Sequence, residues 1–207
     1  MNSLENLTQI FKNHLPLPAT HHCIQLWKTE PFQFQITRSR KSKLGDFRYR
    51  RDREIQTITI NSDLNPYQFL LTLIHEIAHL HAFKKFGFNV SPHGIEWKKT
   101  FSELMSPILI ESIFPIDLLI PLRKHMKNPK ASSAGDLFLM KEMSKYDLNK
   151  QEEKSMFLSD LKPGNKFLLA GREFEKGETR RTRVLCLEIK SGRKFLIAQL
   201  AKVELPE

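Results

Sequence analysis

The amino-acid sequence predicts an α+β protein: a mainly helical N-terminal domain with a small sheet, followed by a small C-terminal antiparallel β unit. Three observations lead there. Phe69 to Phe86 repeats apolar residues through a long helical stretch. Before it, Phe32, Phe34 and Ile36, and then the run Ile55 to Ile60, alternate with polar neighbours as strands do. Beyond residue 155, short apolar runs are separated by Gly171, Gly177 and Ser191-Gly192, the punctuation of antiparallel strands.

Composition sets the bounds. With 207 residues, 40% hydrophobic and 27% charged, the chain can build a full-sized domain with a small appendage and is not disordered overall. No stretch approaches the ~20 apolar residues of a membrane span. The opening MNSLENLTQIFKNHL carries acid and amide groups where a secretory signal carries an apolar block. Cys23 and Cys186 are the only cysteines, which excludes a disulfide framework and a four-cysteine zinc site. A cytoplasmic protein with no membrane association is expected.

Taken in order, Leu4, Leu7, Ile10 and Phe11 predict a first helix capped by Ser3. Phe32 to Ile36 predicts a strand. Arg38 to Asn61 predicts a hairpin-like excursion with a basic turn around Gly45 and a returning strand, Ile55 to Ile60. Asn65-Pro66 supplies an N-cap and a first-turn proline, with Gln68 at the capping-box position, so a long helix starts there. Gly87, Asn89 and Pro92 break it. A second helix is predicted from about His93-Gly94 to Met105, and further helix in Ile108 to Met126, punctuated by Pro115 and Pro121. The polar stretch 128–155 predicts a linker with a short helix at Leu137 to Met143. Lys166 to Ala170, Arg183 to Ile189 and Lys194 to Leu200 are the predicted strands of the final unit. The expected domains are therefore 1–127 and 156–207, joined by 128–155.

Charge is unevenly spread. Lys plus Arg number 33 against 23 Asp plus Glu, a formal +10. Arg38 to Arg53 holds eight basic and two acidic residues, and Arg172 to Lys194 eight basic and four acidic. Together these windows account for the whole excess. A localised positive field attracts polyanions, nucleic acid above all. The residues expected to touch phosphates are Arg38, Arg40, Lys41, Lys43, Arg48, Arg50 and Arg51 in the first window, with Arg180, Arg181 and Arg183 in the second. Phe47 and Tyr49 interleave with the arginines, which would suit stacking on unpaired bases.

The chemistry sits in His75-Glu76-Ile77-Ala78-His79, an H-E-x-x-H pentad inside the predicted long helix. A spacing of four puts both imidazoles on one helix face, a turn apart, within reach of one zinc ion. Glu76 can lean over that metal without ligating it and serve as general acid/base. His93 is the third-ligand candidate, because it follows a Gly- and Pro-containing turn and opens the next helix, with Gly94 allowing close backbone approach. His81 points elsewhere on the helix. His14, His21, His22 and His125 lack a matching partner spacing, and His21-His22-Cys23 is read as a loop.

HEIAHL followed by SPHGIEWKKTF resembles the SprT-like metalloprotease domain, whose third histidine lies in an H-G-x-x-W/F motif. KLGDFRYR and ITIN also resemble that family's strands before the active-site helix, and the resemblance spans roughly Ser3 to Met126. It implies a zincin-like fold, His75, His79 and His93 as zinc ligands, Glu76 as catalytic acid/base, and Trp97 packed under the metal-binding loop. Relatives of Spartan type act on proteins bound or crosslinked to DNA. The tail departs from the family, which often carries a cysteine-rich zinc ribbon there. With Cys186 alone, the unit is expected to hold a ribbon-like shape through Phe167, Leu185, Leu187 and Phe195.

The expected function is a zinc-dependent endopeptidase meeting protein substrates on DNA, single-stranded DNA included. Two alternatives stand beside it: a zinc-containing nucleic-acid-binding protein with little peptidase activity, and a metal-dependent nuclease.

Overall fold

Asn65 decides where the central helix begins. Its side-chain oxygen accepts the Gln68 N–H at 3.0 Å, and Pro66 fills the first helical position, where a missing N–H costs nothing. Helix α3 (Pro66–Phe86) then runs for 21 residues until Gly87, at φ 71°, ends it. Leu70, Leu71, Leu73, Ile74, Ile77, Ala78 and Leu80 are buried on several sides, so α3 lies inside its unit. Each large side chain so buried contributes about 1.5–3 kcal/mol.

The computed structural model describes residues 2–40, 42–130, 136–147 and 156–206, with the Phe88 side chain outside that description. The chain divides into two compact units, Met1–Ala131 with Glu142–Asp147, and Ser132–Lys141 with Leu148–Glu207. The described residues form a mixed α+β structure with six α-helices and several small sheets. Among them, no helix is long and apolar enough to cross a membrane.

In the first unit, α1 (Leu4–His14) is capped by Ser3, whose hydroxyl accepts the Asn6 N–H. Helix α2 (Thr20–Thr29) follows a short 3-10 turn and replaces the loop expected at His21-His22-Cys23. It buries Thr20, Cys23, Ile24 and Trp27, an i, i+3, i+4, i+7 face. The sheet has order β1–β3–β2, with β1 (Gln33–Thr37) parallel to β3 (Thr57–Asn61) and β2 (Gly45–Arg48) antiparallel to it. Gly45, expected in a turn, instead opens β2 opposite Ile60. The returning segment 49–56 makes the turn, where the Gln56 carboxamide bonds main-chain groups of Arg50 and Arg53. Helices α4 (Ile95–Met105) and α5 (Ile116–Met126) complete the unit, α4 packed along α3. The 108–126 stretch is α-helical only from Ile116, beyond Pro115, after a 3-10 turn that ends at Ile108, and Pro121 lies inside α5. Helix α6 (Leu137–Ser144) is the short helix expected at Leu137 to Met143 within the 128–155 stretch.

The second unit is a meander of β5 (Lys166–Leu169), β6 (Arg172–Arg180), β7 (Arg183–Glu188) and β8 (Lys194–Ala198), with β4 (Met156–Phe157) paired to β9 (Lys202–Val203). Main-chain bonds between Leu168 and Glu204 join β5 to the end of β9. Its core is Leu158, Leu161, Phe167, Phe174, Val184, Cys186 and Val203. Phe167 is central as expected and Phe195 packs against the rim, but Leu185 and Leu187 turn away from the core. Val184 and Cys186 occupy the inner face instead. Gly177, expected between strands, sits inside β6 where the pairing with β7 shifts register between Lys176 and Thr179.

Candidate metal centre

Helix α3 presents His75 and His79 one turn apart, and both rings face α4. The third histidine arrives from the connection between the helices. Ser91-Pro92-His93-Gly94 is a tight turn closed by the Gly94 N–H to Ser91 carbonyl bond at 2.8 Å. Proline at its second position and positive φ at its third mark a type II turn, where glycine or asparagine is the usual third residue. His93 occupies that position at φ 64°. Left-handed backbone in a histidine costs on the order of 1 kcal/mol and calls for a reason. The reason is visible at the ring.

The three Nε2 atoms converge. They are 3.1 Å apart for His75 and His93, 3.2 Å for His75 and His79, and 2.9 Å for His79 and His93. Each Nε2 offers either one proton or one lone pair, so a closed triangle of three leaves repelling pairs unless a cation sits among them. For a tetrahedral zinc with bonds of about 2.0–2.1 Å, ligand nitrogens lie about 3.3–3.4 Å apart, within a few tenths of the observed triangle. Among the described residues, His75, His79 and His93 form the one such ligand cluster. Burial holds His75 down to about 3 and His79 to about 4, with the neighbouring imidazoles adding to it, and lowers His93 as well. All three are neutral at pH 7, the form that ligates a metal.

Trp97 forms the floor. It is 1% exposed, its ring centroid lies 4.6 Å from that of His75, 5.3 Å from His79 and 4.7 Å from His93, and it stacks on Phe101 at 5.0 Å. The indole N–H reaches the His75 carbonyl at 3.4 Å. This wall keeps water from the underside of the cluster and restricts the ring orientations.

Glu76 is 7% exposed and lies beside β2. Burial pushes its carboxyl up to about 7, opposed by the main-chain N–H of Phe47, which donates to Oε2 at 2.7 Å. A group poised near neutrality can both take and return a proton. Sequence reasoning did not reach Phe47 in this role, since a main-chain donor has no residue-type signature.

The other histidines lie elsewhere. His14 stacks on Phe69 at 5.0 Å, the His22 ring bonds the Leu104 carbonyl, and His125 is buried. Cys23 is buried and its thiol pushed well up, as an inert core group. His81 faces a cleft lined by Glu30, Lys84, Thr100 and Glu103, away from the triangle.

The basic residues are only partly available. Lys43 and Arg48 both pair with Asp46, at 2.9 and 3.1 Å, and Arg50 pairs with Asp52 at 3.0 Å. Arg40 bonds Asn61 and Thr59. Arg38 and Arg51 are exposed, and Lys41 lies outside the described residues. The rings of Phe47 and Tyr49, which interleave with the arginines, are half-buried and lean on Phe83 of α3, at 6.1 and 4.4 Å between centroids. In the second unit, the buried Gln199 carboxamide holds the hairpin tip through the carbonyls of Arg180 and Arg181, and Arg183 donates to Leu196 O.

A neutral three-histidine cluster with an adjoining buried carboxylate defines a candidate metal centre suited to hydrolysis. Residues 14–113 match the model of the SprT-like family, so the resemblance carried by the two histidine motifs is shown across that stretch. The family is associated with metal-dependent proteases. Neither curated proteins nor solved structures gave a significant match.

Proposed function

We propose that the protein is a zinc-dependent endopeptidase with a zincin-like N-terminal domain, acting on proteins bound or crosslinked to DNA. The observation that carries the peptidase reading is the Nε2 triangle with Glu76 beside it. Zinc held by His75, His79 and His93 would supply Lewis acidity toward the scissile carbonyl. Glu76 takes the proton from the attacking water and returns it to the leaving amine, and its position near neutrality suits both transfers. Trp97 and Phe101 exclude water beneath the ligands.

The DNA part rests on the family resemblance and on the two basic stretches. Arg38 and Arg51 in one unit, and the Arg180–Arg183 tip in the other, offer phosphate contacts without base specificity. A carboxylate poised for proton transfer to an amine favours a peptidase over a nuclease.

The test is cleavage by zinc-loaded wild type and Glu76→Gln, with and without single-stranded DNA, of a protein substrate and a labelled oligonucleotide. The proposal expects the protein to be cut by wild type alone, faster with DNA, and the oligonucleotide to stay intact. Undiminished cleavage by the variant would sink the assignment of Glu76. A cut oligonucleotide would favour the nuclease.

A further inference from the structure

Among the described residues, strand β2 is the outer strand of its sheet, paired with β3 on one side only. The Asn61 N–H donates to Leu44 O, which fixes the antiparallel alternation. Main-chain groups of Asp46 and Arg48 then face β3, and those of Gly45 and Phe47 face outward. An outward N–H at a sheet edge ordinarily meets water. That of Phe47 meets Oε2 of Glu76 instead, at 2.7 Å.

Gly45 makes this approach possible. A Cβ at position 45 would lie 2.6 Å from Thr72 Cγ2, 2.8 Å from Glu76 Oε1 and 2.9 Å from Glu76 Cγ. A Cβ does not stand that close to other atoms, so a side chain at 45 would push Glu76 or Thr72 aside; with glycine there, the carboxylate rests against bare backbone. Gly45 has no positive φ; its value lies in the missing side chain. The two outward positions of β2 thus do complementary things: one clears the space and the next donates the bond.

We infer that Gly45 and Phe47 are positioning residues for Glu76, with the Phe47 main-chain N–H anchoring Oε2 and the bare Gly45 admitting the carboxylate to the strand. The inference rests on reading Glu76 as the acid/base of a peptidase. The anchor works against two alternatives open to a glutamate on a helix beside three imidazoles: swinging out to solvent, and turning onto the metal as a fourth ligand.

The full-length, isotope-labelled chain tests it by the Phe47 amide signal, in wild type, Glu76→Ala and Gly45→Ala. The wild-type amide should resonate downfield and resist solvent exchange, and both variants should lose at least about tenfold of that protection. Gly45→Ala should also keep its zinc, lower kcat at least about tenfold and leave KM within about twofold. A Phe47 amide indifferent to Glu76→Ala overturns the anchor, whatever the protein cleaves. Wild-type kcat in a Gly45→Ala protein that has lost the amide signal overturns the positioning role. Should Gly45→Ala not fold, Phe47→Pro deletes the same N–H at an outward edge position, where proline is tolerated. The same kcat and KM outcomes then decide. No cleavage by wild type would defeat the peptidase reading, and the amide signal would still decide the anchor separately.

Discussion

His93 and His79 bring their Nε2 atoms to 2.9 Å although His93 stands in left-handed backbone, at φ 64°. The turn would accept glycine or asparagine more easily, so the imidazole is held there at a cost to the fold. His93→Asn keeps a residue that tolerates this backbone. The metal-free variant should match or exceed wild-type stability, within about 1 kcal/mol. The rise in Tm that zinc gives wild type should vanish. Thermal unfolding with and without zinc measures both, and a variant markedly destabilised without metal would contradict the strain argument.

Trp97 touches all three ligand rings and Phe101. Trp97→Ala should cost about 3–5 kcal/mol in denaturant unfolding. Zinc affinity should fall as well, because the rings lose the wall that orients them. Unchanged zinc affinity in a folded variant would reduce Trp97 to a core residue.

How much of this is legible in the sequence differs between the two units. Asn65-Pro66, the H-E-x-x-H pentad and His93-Gly94 carry local signals with strict geometry, and the structure places those elements where the sequence predicts them. Helix α2 is hidden although Thr20, Cys23, Ile24 and Trp27 have helical spacing, because His21-His22-Cys23 and the two prolines before it resemble a loop. Strand β6 escapes because six of the nine residues in Arg172–Arg180 are charged, with Phe174 its sole large apolar residue. Lys176 is buried there, its ammonium donating to the carbonyls of Ser159 and Leu161. In β7, Val184-Leu185-Cys186-Leu187 is apolar on both faces, so alternation does not say which pair points inward. Only tertiary packing chooses Val184 and Cys186.

Glu188 gives the second unit a defined acid response. Hydrogen bonds from Arg172 and then Ser191 hold its carboxyl down to about 2 from an ordinary 4.5. The folded value lies below the unfolded one, so the stabilisation is present above about pH 4.5 and is lost as pH falls toward 2. Wild type should be more stable than Glu188→Gln at neutral pH, and the gap should close between pH 5 and pH 2. Unfolding curves of the two proteins across that range check it; a constant gap would refute it.

Asp46 occupies two cations that would otherwise be open to phosphate, Lys43 and Arg48. Asp46→Asn should therefore tighten binding of single-stranded DNA and steepen its salt dependence. Replacing Arg180, Arg181 and Arg183 by alanine should do the reverse, reducing the slope of log K against log salt by about 0.7 for each phosphate no longer neutralised. Titrations at several salt concentrations read both. Slopes that ignore all of these substitutions would place nucleic acid elsewhere or nowhere.

X-ray absorption at the zinc edge, on the zinc-loaded chain, tests the central claim most directly. Three imidazole nitrogens at about 2.0–2.1 Å are predicted, with no sulfur in the first shell. Sulfur scattering at about 2.3 Å, or zinc that stays bound with its imidazole signal unchanged in His93→Asn, would contradict the three-histidine centre.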